Sequence, residues 1–157
     1  MDESAKKSVL GMIPYGVFIC TSKYGDIISA STVTWVTQTS FDPPLIAVAL
    51  KKESGVHETV RNAGKFVLHV VPDGEKKLAS RFFRPAQVEE NKINGVSFSL
   101  AHGLPVLQRA PAHLVCRVRQ VPEIGDHHLF IGEIIDAVSQ ADVAPLLLKD
   151  TGWRYSG

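Results

Sequence analysis

The chain has 157 residues, 45% of them hydrophobic and 21% charged, which suits one globular domain with its own core and excludes a disordered or fibrous chain. Seventeen Lys and Arg against sixteen Asp and Glu leave a net charge of +1, which provides no broad electrostatic footprint for nucleic acid or an anionic membrane. The longest strongly apolar stretch, Pro43 to Leu50, is far short of the roughly 20 residues that span a bilayer. The chain also begins with acidic Met1-Asp2-Glu3-Ser4 rather than a basic leader. The expectation is a single cytoplasmic domain over residues 1–157, with neither nucleic acid nor membrane as a partner.

In chain order, Asp2 to Met12 carry Val9, Leu10 and Met12 after a polar turn, with Gly11 and Pro14 at the far end, which predicts a short helix stopping before Pro14. Val17 to Thr21, a turn at Lys23-Tyr24-Gly25-Asp26, and Ile27 to Ser29 read as a β-hairpin with Gly25 in the bend. Leu45 to Leu50 is apolar throughout, between Asp42-Pro43-Pro44 and Lys51-Lys52, the pattern of a central strand buried on both faces. A short helix over Gly55 to Asn62 is terminated by Gly64, and a strand over Phe66 to Val71 stops at Pro72. Leu78, Ala79, Phe82 and Phe83 at helical spacing predict a second short helix over Glu75 to Phe83, outside the barrel. Arg84 to Asn94 reads as irregular. Val96 to Leu100, Ala112 to Val121 and His128 to Val138 read as strands, the last two joined by the turn-rich Pro122-Glu123-Ile124-Gly125-Asp126, and Gly152 to Tyr155 reads as a final strand. About seven strands and two or three peripheral helices, without regular strand–helix alternation, predict a mainly β protein built as an antiparallel barrel.

Cys20 and Cys116 each lie in an apolar run, outside any C-x-x-C pair, and read as buried reduced thiols. The six histidines have no H-x-x-x-H spacing, and no metal site is expected. The segment Ser29 to Pro44 is the most informative, because eight of its sixteen positions are small or hydroxylated, which a core strand would not choose. Small residues admit a flat ligand to the backbone, while hydroxyls and N–H groups offer it hydrogen bonds. A threonine-rich edge strand explains the same composition, and these residues alone leave both readings open. Lys51, Lys52 and His57 gather cations where a strand runs into a helix. Such a point can receive a phosphate at the helix start, or the lysine pair simply solvates a strand end.

From Pro14-Tyr15-Gly16-Val17 to the end, about nine-tenths of the chain, the order of motifs resembles the flavin-reductase-like, FMN-binding split-barrel family. Ser31 to Trp35, Val36 to Pro44 and Lys65-Phe66-Val67-Leu68 resemble in particular the flavin reductase module at the C-terminus of cyanobacterial-type flavodiiron proteins. Gly125-Asp126-His127 followed by Gly132-Glu133 is similar to a Gly-Asp-His hairpin of the wider family.

The resemblance implies an antiparallel split β-barrel of Greek-key type, working as a homodimer. It also implies FMN as cofactor, with FAD as an alternative, and NAD(P)H as co-substrate delivering hydride to flavin N5. Electrons would pass to a second flavin or a redox-protein acceptor. Ala30, Ser31, Thr32, Val33, Thr34 and Trp35 would lie along the isoalloxazine and supply donors to its polar edge. Ala49, Leu50 and Lys51 would border the ring and ribityl chain, with Lys51 or Lys52 near the phosphate. Relatives carry a Thr-His pair after this strand; here Val56 and His57 stand there, so the histidine is retained and Ser54 is the candidate for the missing hydroxyl. Arg81 and Arg84 match a basic stretch where a further phosphate contact is expected, and Arg84 is taken as a cofactor residue. His127 resembles the residue bordering the nicotinamide and is the candidate catalytic residue, although a turn histidine can equally hold its own hairpin. Trp153 and Trp35 can cover an open ring face or fill a core or interface. The absence of a G-x-G-x-x-G fingerprint agrees with nicotinamide held against a flavin. Two other functions fit the residues: a flavoredoxin-like electron carrier with little NAD(P)H oxidase activity, and a split-barrel binding module that has lost FMN.

Overall fold

A computed structural model describes residues 1–155. The predicted hairpin is β1 (Phe18–Tyr24) and β2 (Ile27–Val33), joined by Gly25-Asp26 with Gly25 at φ +58°, a conformation that costs glycine nothing. After β3 (Val36–Ser40) and β4 (Leu45–Lys51) comes helix α2 (Gly55–Ala63), and then β5 (Lys65–Val70). Ser54 caps α2, its hydroxyl accepting the His57 N–H at 3.3 Å, and Gly64 ends the helix at φ +64°. Two long strands, β10 (Ala112–Gln120) and β11 (His127–Ser139), complete a seven-stranded antiparallel sheet in the order β2-β1-β5-β10-β11-β4-β3.

Consecutive strands β2 and β3 therefore occupy opposite edges of that sheet. The chain crosses from one edge to the other through Thr34 and Trp35 alone, and the Ala49 N–H donates to the Trp35 carbonyl at 3.0 Å. This short bridge draws the two edges together and curls the sheet into a half-barrel, the split-barrel fold anticipated from the sequence. The apolar strand β4 pairs with β11 on one side and β3 on the other, so it is interior but second from an edge. The middle place belongs to β10, whose apolar character is less continuous.

Successive residues of β1 enter different cores, as the two-residue period of a strand requires. Ile19 joins Val17, Val71, Leu78, Phe82 and Leu107, while Cys20 joins Val48, Leu50, Phe66, Leu68 and Phe130. Gly132 of β11 faces the second cluster, where an added Cβ would lie 2.9 Å from the Phe66 ring. Both cysteines are buried free thiols; burial pushes Cys116 up to about 12 and moves Cys20 in the same direction. His69 is wholly buried and fully partnered: its Nδ1–H donates to the Ile19 carbonyl at 3.0 Å, and its Nε2 accepts from the Leu107 N–H at 3.0 Å. Burial lowers the pKa of this imidazole to about 3, with His113 adding to the shift.

Several elements differ from the sequence reading. Among the described residues four α-helices form rather than two or three: α1 (Glu3–Leu10), α2, α3 (Lys76–Ser80) and α4 (Leu148–Thr151). The second predicted helix divides into α3 and a 3-10 turn over Arg81–Phe83. The stretch read as irregular contains β6 (Val88–Glu89) and β7 (Lys92–Ile93), which join β8 (Val96–Ala101) and β9 (Leu104–Leu107) in a four-stranded sheet. Strand β9 escaped notice because Pro105 sits inside it, at a place where a side-chain hydroxyl, that of Thr21, bonds the proline carbonyl at 2.5 Å. Residues Gly152 to Tyr155 form no strand; they follow α4 through Gly152 at φ +77° and lie across the mouth of the half-barrel. Among the described residues no helix is long and apolar enough to cross a membrane, and no three His, Cys, Asp or Glu side chains gather as metal ligands.

Candidate functional site

Where the two sheet edges meet, a cleft of about 520 Å³ opens beside the Thr34-Trp35 bridge. This volume falls within the usual range for small-molecule and cofactor sites. Strand β2 and the bridge supply Ser31, Thr32, Val33, Thr34 and Trp35; the end of β4 supplies Ala49, Leu50 and Lys51; the start of α2 supplies Ser54 and Val56. Phe82, Phe83 and the C-terminal segment close the opposite side. The composition of Ser29 to Pro44 thus has both of the meanings open at the sequence level. It forms two edge strands, and between them it lines a cavity.

The hydroxyls on this wall are not equivalent. Thr32 Oγ1 donates to the Ala79 carbonyl at 2.6 Å and fastens β2 to α3, and Ser54 Oγ donates to the Lys51 carbonyl at 2.7 Å while capping α2. By contrast, Thr34 Oγ1 and the Trp35 indole Nε1 are buried without a hydrogen-bond partner. An unpartnered buried hydroxyl and N–H cost roughly 1–3 kcal/mol each, and a ligand in the cleft is one means of completing two such neighbours.

His127 closes the cleft beside Trp35, with ring centroids 4.6 Å apart. Both its nitrogens are engaged: Nδ1–H donates to Asp126 Oδ1 at 2.8 Å, which leaves Nε2 to accept from the Tyr155 hydroxyl at 2.6 Å. That hydrogen bond to His127 holds the exposed Asp126 carboxyl below its ordinary range, and partial burial, then Asp126, raises the Tyr155 phenol. Tyr155 also packs on Trp35, with centroids 5.4 Å apart, so three segments distant in sequence build one aromatic wall. Trp153 lies across the mouth, edge-on to Phe83 at 4.6 Å, with Lys76 Nζ 5.2 Å from its ring.

Of the residues expected from the sequence, Ser31 to Trp35, Ala49, Leu50, Lys51, Ser54 and His127 converge on this cleft. Ala30 is buried behind it, packed with Ile19 and Leu78. Lys52 and Arg84 point to solvent and do not line it. His57 turns away into the body of the protein, where its Nε2 lies 2.9 Å from His128 Nδ1 and its ring packs edge-on against Phe130. Burial foremost, then His128 and Arg61, lowers its pKa. The sequence reading missed Val56, Phe82, Phe83, Leu148, Arg154 and Tyr155 as lining residues. Nothing in local pattern marks Tyr155, since its role comes from a chain end folding back across the barrel.

A family model described as flavin reductase like domain matches residues 10–156. The chain is 30% identical over 149 residues to a flavin reductase of Pseudomonas putida, covering 94% of this chain and 86% of that protein. It is 35% identical over 153 residues to a diflavin flavoprotein of a Nostoc species, covering 95% of this chain but 27% of the other, so it spans about a quarter of that relative's length. An NADH:FAD oxidoreductase of Streptomyces globisporus, solved in complex with NAD and FAD fragments, superposes with a TM-score of 0.81 at 26% identity, over 99% of this chain and 93% of that one. The fold, the order of its motifs and a family match over nearly the whole chain agree: this protein belongs to the flavin reductase like domain family.

Proposed function

We propose that this chain is an FMN-dependent NAD(P)H:flavin or acceptor oxidoreductase, with the cleft beside Thr34 and Trp35 as its FMN site. The observation that carries this reading is the pair of buried polar atoms, Thr34 Oγ1 and Trp35 Nε1, left without partners in the cleft wall where the other hydroxyls of Thr32 and Ser54 are bonded. When bound, FMN supplies the hydride-accepting N5 and passes electrons on to a second flavin or a redox protein.

The chain's own residues bind, orient and shield. Thr34 and Trp35 hold a hydroxyl and an N–H in the wall that would border the polar edge of a flat ring, where fixed dipoles favour the charge that reduction builds up. Lys51 and the start of α2, capped by Ser54, gather positive potential at one end of the cleft for a phosphate. His127, held at both nitrogens by Asp126 and Tyr155, forms a rigid wall against which a nicotinamide can stack, and its contribution is position rather than proton transfer. Trp35, Trp153 and Phe83 exclude water from the ring.

Purified protein loaded with FMN should lose its flavin absorbance near 450 nm when mixed anaerobically with NADH or NADPH. Bound FMN that neither nicotinamide bleaches would remove the reductase assignment and leave an electron carrier; a protein that takes up no FMN would remove both. A homodimer, which the resemblance to the family implies, would give strongly exposed side chains such as Phe41 and Ile124 a surface to cover, and a concentration-independent monomer in sedimentation would count against it. Two free thiols sealed in the core suit a reducing compartment, the cytoplasm.

A further inference from the structure

The segment after α4 crosses the cleft and is fastened on both sides of it. On the α3 side, the Leu148 N–H donates to the Tyr15 carbonyl at 2.9 Å, and the Trp153 N–H donates to Oγ1 of the buried Thr151 at 2.9 Å. Lys76 of α3 donates to the Thr151 carbonyl and lies 5.2 Å from the Trp153 ring, which Phe83 meets edge-on at 4.6 Å. Two residues further on, Tyr155 reaches the opposite side, where its hydroxyl bonds His127 and its ring packs on Trp35. Trp153 and Tyr155 both line the cleft, so Gly152 to Tyr155 form a strap across its mouth.

His127 is the first residue of β11, and its backbone is paired with Lys51 of β4. The sheet therefore fixes its main chain but leaves its imidazole free to turn about the Cβ–Cγ bond. Asp126 accepts from Nδ1–H at 2.8 Å, yet the Asp126 side chain is 78% exposed, and water competes for its carboxylate. The restraint on the other nitrogen comes from the strap, as the Tyr155 hydroxyl donates to Nε2 at 2.6 Å. Partial burial foremost, then Asp126, raises the Tyr155 phenol, which therefore remains a donor at neutral pH. Bonds at opposite ends of the imidazole stop its rotation and occupy both nitrogens, so that only its face is left for a ligand.

We infer that Tyr155 is a positioning residue for flavin reduction: from the strap it holds the His127 imidazole, and through that ring the nicotinamide, in the geometry that hydride transfer needs. The inference rests on the reading of the cleft as the flavin site. Tyr155 gives up no proton in the step; the hydride passes with its electron pair from the nicotinamide to flavin N5. A misplacement of about 1 Å can cost as much as 10²-fold in rate, so one hydroxyl acting through a neighbouring ring has a readable effect.

The test uses the FMN-loaded protein with Tyr155→Phe, with His127→Ala and with both. Tyr155→Phe keeps the ring on Trp35 and removes the hydroxyl alone. At saturating NADH, anaerobic bleaching of the flavin should slow roughly tenfold in Tyr155→Phe, while FMN affinity stays within about twofold of the parent. In the His127→Ala background the same substitution should slow bleaching no further, because Tyr155 then has no imidazole to hold. An unchanged rate in Tyr155→Phe, or equal slowing in both backgrounds, would overturn the inference. FMN affinity that falls as far as the rate would also overturn it and make the strap a flavin lid. A second readout needs no nicotinamide: in protein labelled with nitrogen-15 in its histidine rings, the His127 Nε2 resonance should move in Tyr155→Phe, and a resonance that stays in place would show that the bond is not made. If neither nicotinamide reduces the parent's flavin, the reductase reading fails and takes the role in hydride transfer with it, and the Nε2 resonance still tells whether Tyr155 holds His127.

Discussion

Two buried polar regions of this molecule are built from similar residues to opposite ends. Around His69 three buried polar side chains are answered from within: the imidazole by Ile19 and Leu107, Thr21 by the Pro105 carbonyl, and Ser22 by the Lys65 carbonyl at 2.7 Å. Around Thr34 and Trp35, across the same half-barrel, a hydroxyl and an indole N–H are left unanswered beside a cavity. Satisfied polar groups in a low-dielectric interior tie strands together, whereas unsatisfied ones hold binding free energy in reserve for a ligand. The first region should therefore govern stability and the second affinity.

Replacing His69 with leucine should show the largest effect. It strands the Ile19 carbonyl and the Leu107 N–H in the core and should cost about 4 kcal/mol in chemical denaturation, with little change in FMN affinity for the fraction that folds. A loss below about 1 kcal/mol would mean that the two backbone groups find other partners, and the contrast between the regions would fail.

Acid should act through the same residue. His69 is neutral in the folded protein down to about pH 3, while in the unfolded chain its imidazole protonates near 6.5. The unfolded state binds the extra proton, so the contribution is complete above about pH 6.5 and is lost as pH falls towards 3, by about 1 kcal/mol per unit. His57 and His113, also lowered chiefly by burial, act in the same sense. Urea midpoints between pH 7 and 4 should fall accordingly, and more steeply in the parent than in the His69 variant.

Gly132→Ala probes the packing of the sealed side, since its methyl would meet the Phe66 ring at 2.9 Å and the Cys116 Cβ at 3.0 Å. The expected cost is about 2 kcal/mol, read as a lower melting temperature of the FMN-free protein. Unchanged melting would show that Phe66 can yield. The smallest change in stability, and the sharpest contrast, belongs to Thr34→Val. Removing an unpartnered hydroxyl should leave the FMN-free protein unchanged or up to about 1 kcal/mol more stable, yet weaken FMN binding roughly fivefold. Fluorescence titration of FMN checks it; equal affinity in the two proteins would assign the Thr34 hydroxyl no ligand.

Local pattern made much of this legible. The β1–β2 hairpin, the apolar strand β4, the Ser54 to Gly64 helix and the long β10–β11 pair all follow from two-residue alternation, turn residues and caps, because those signals act between near neighbours. The same signals misled where the outcome depends on distant partners. Gly152 to Tyr155 resembles a strand but finds no strand to pair with, and β9 pairs despite its proline because β8 lies alongside it. Among the candidate residues, the segment Ser29 to Pro44 stood out by composition, and the resemblance to the family narrowed it to Ala30 to Trp35. His57 was indistinguishable from a phosphate ligand until the fold turned it towards His128.

The sequence by itself thus determined a mainly β domain of this family and marked the segment that crosses between the sheet edges, since composition and motif order survive without coordinates. Only the tertiary structure decided that β2 and β3 lie at opposite edges, that Thr34 and Trp35 remain unpartnered where those edges meet, and that Tyr155 reaches back to His127. The reason is physical: pairing order, burial and hydrogen-bond satisfaction are properties of residues far apart in the chain, and no local rule contains them.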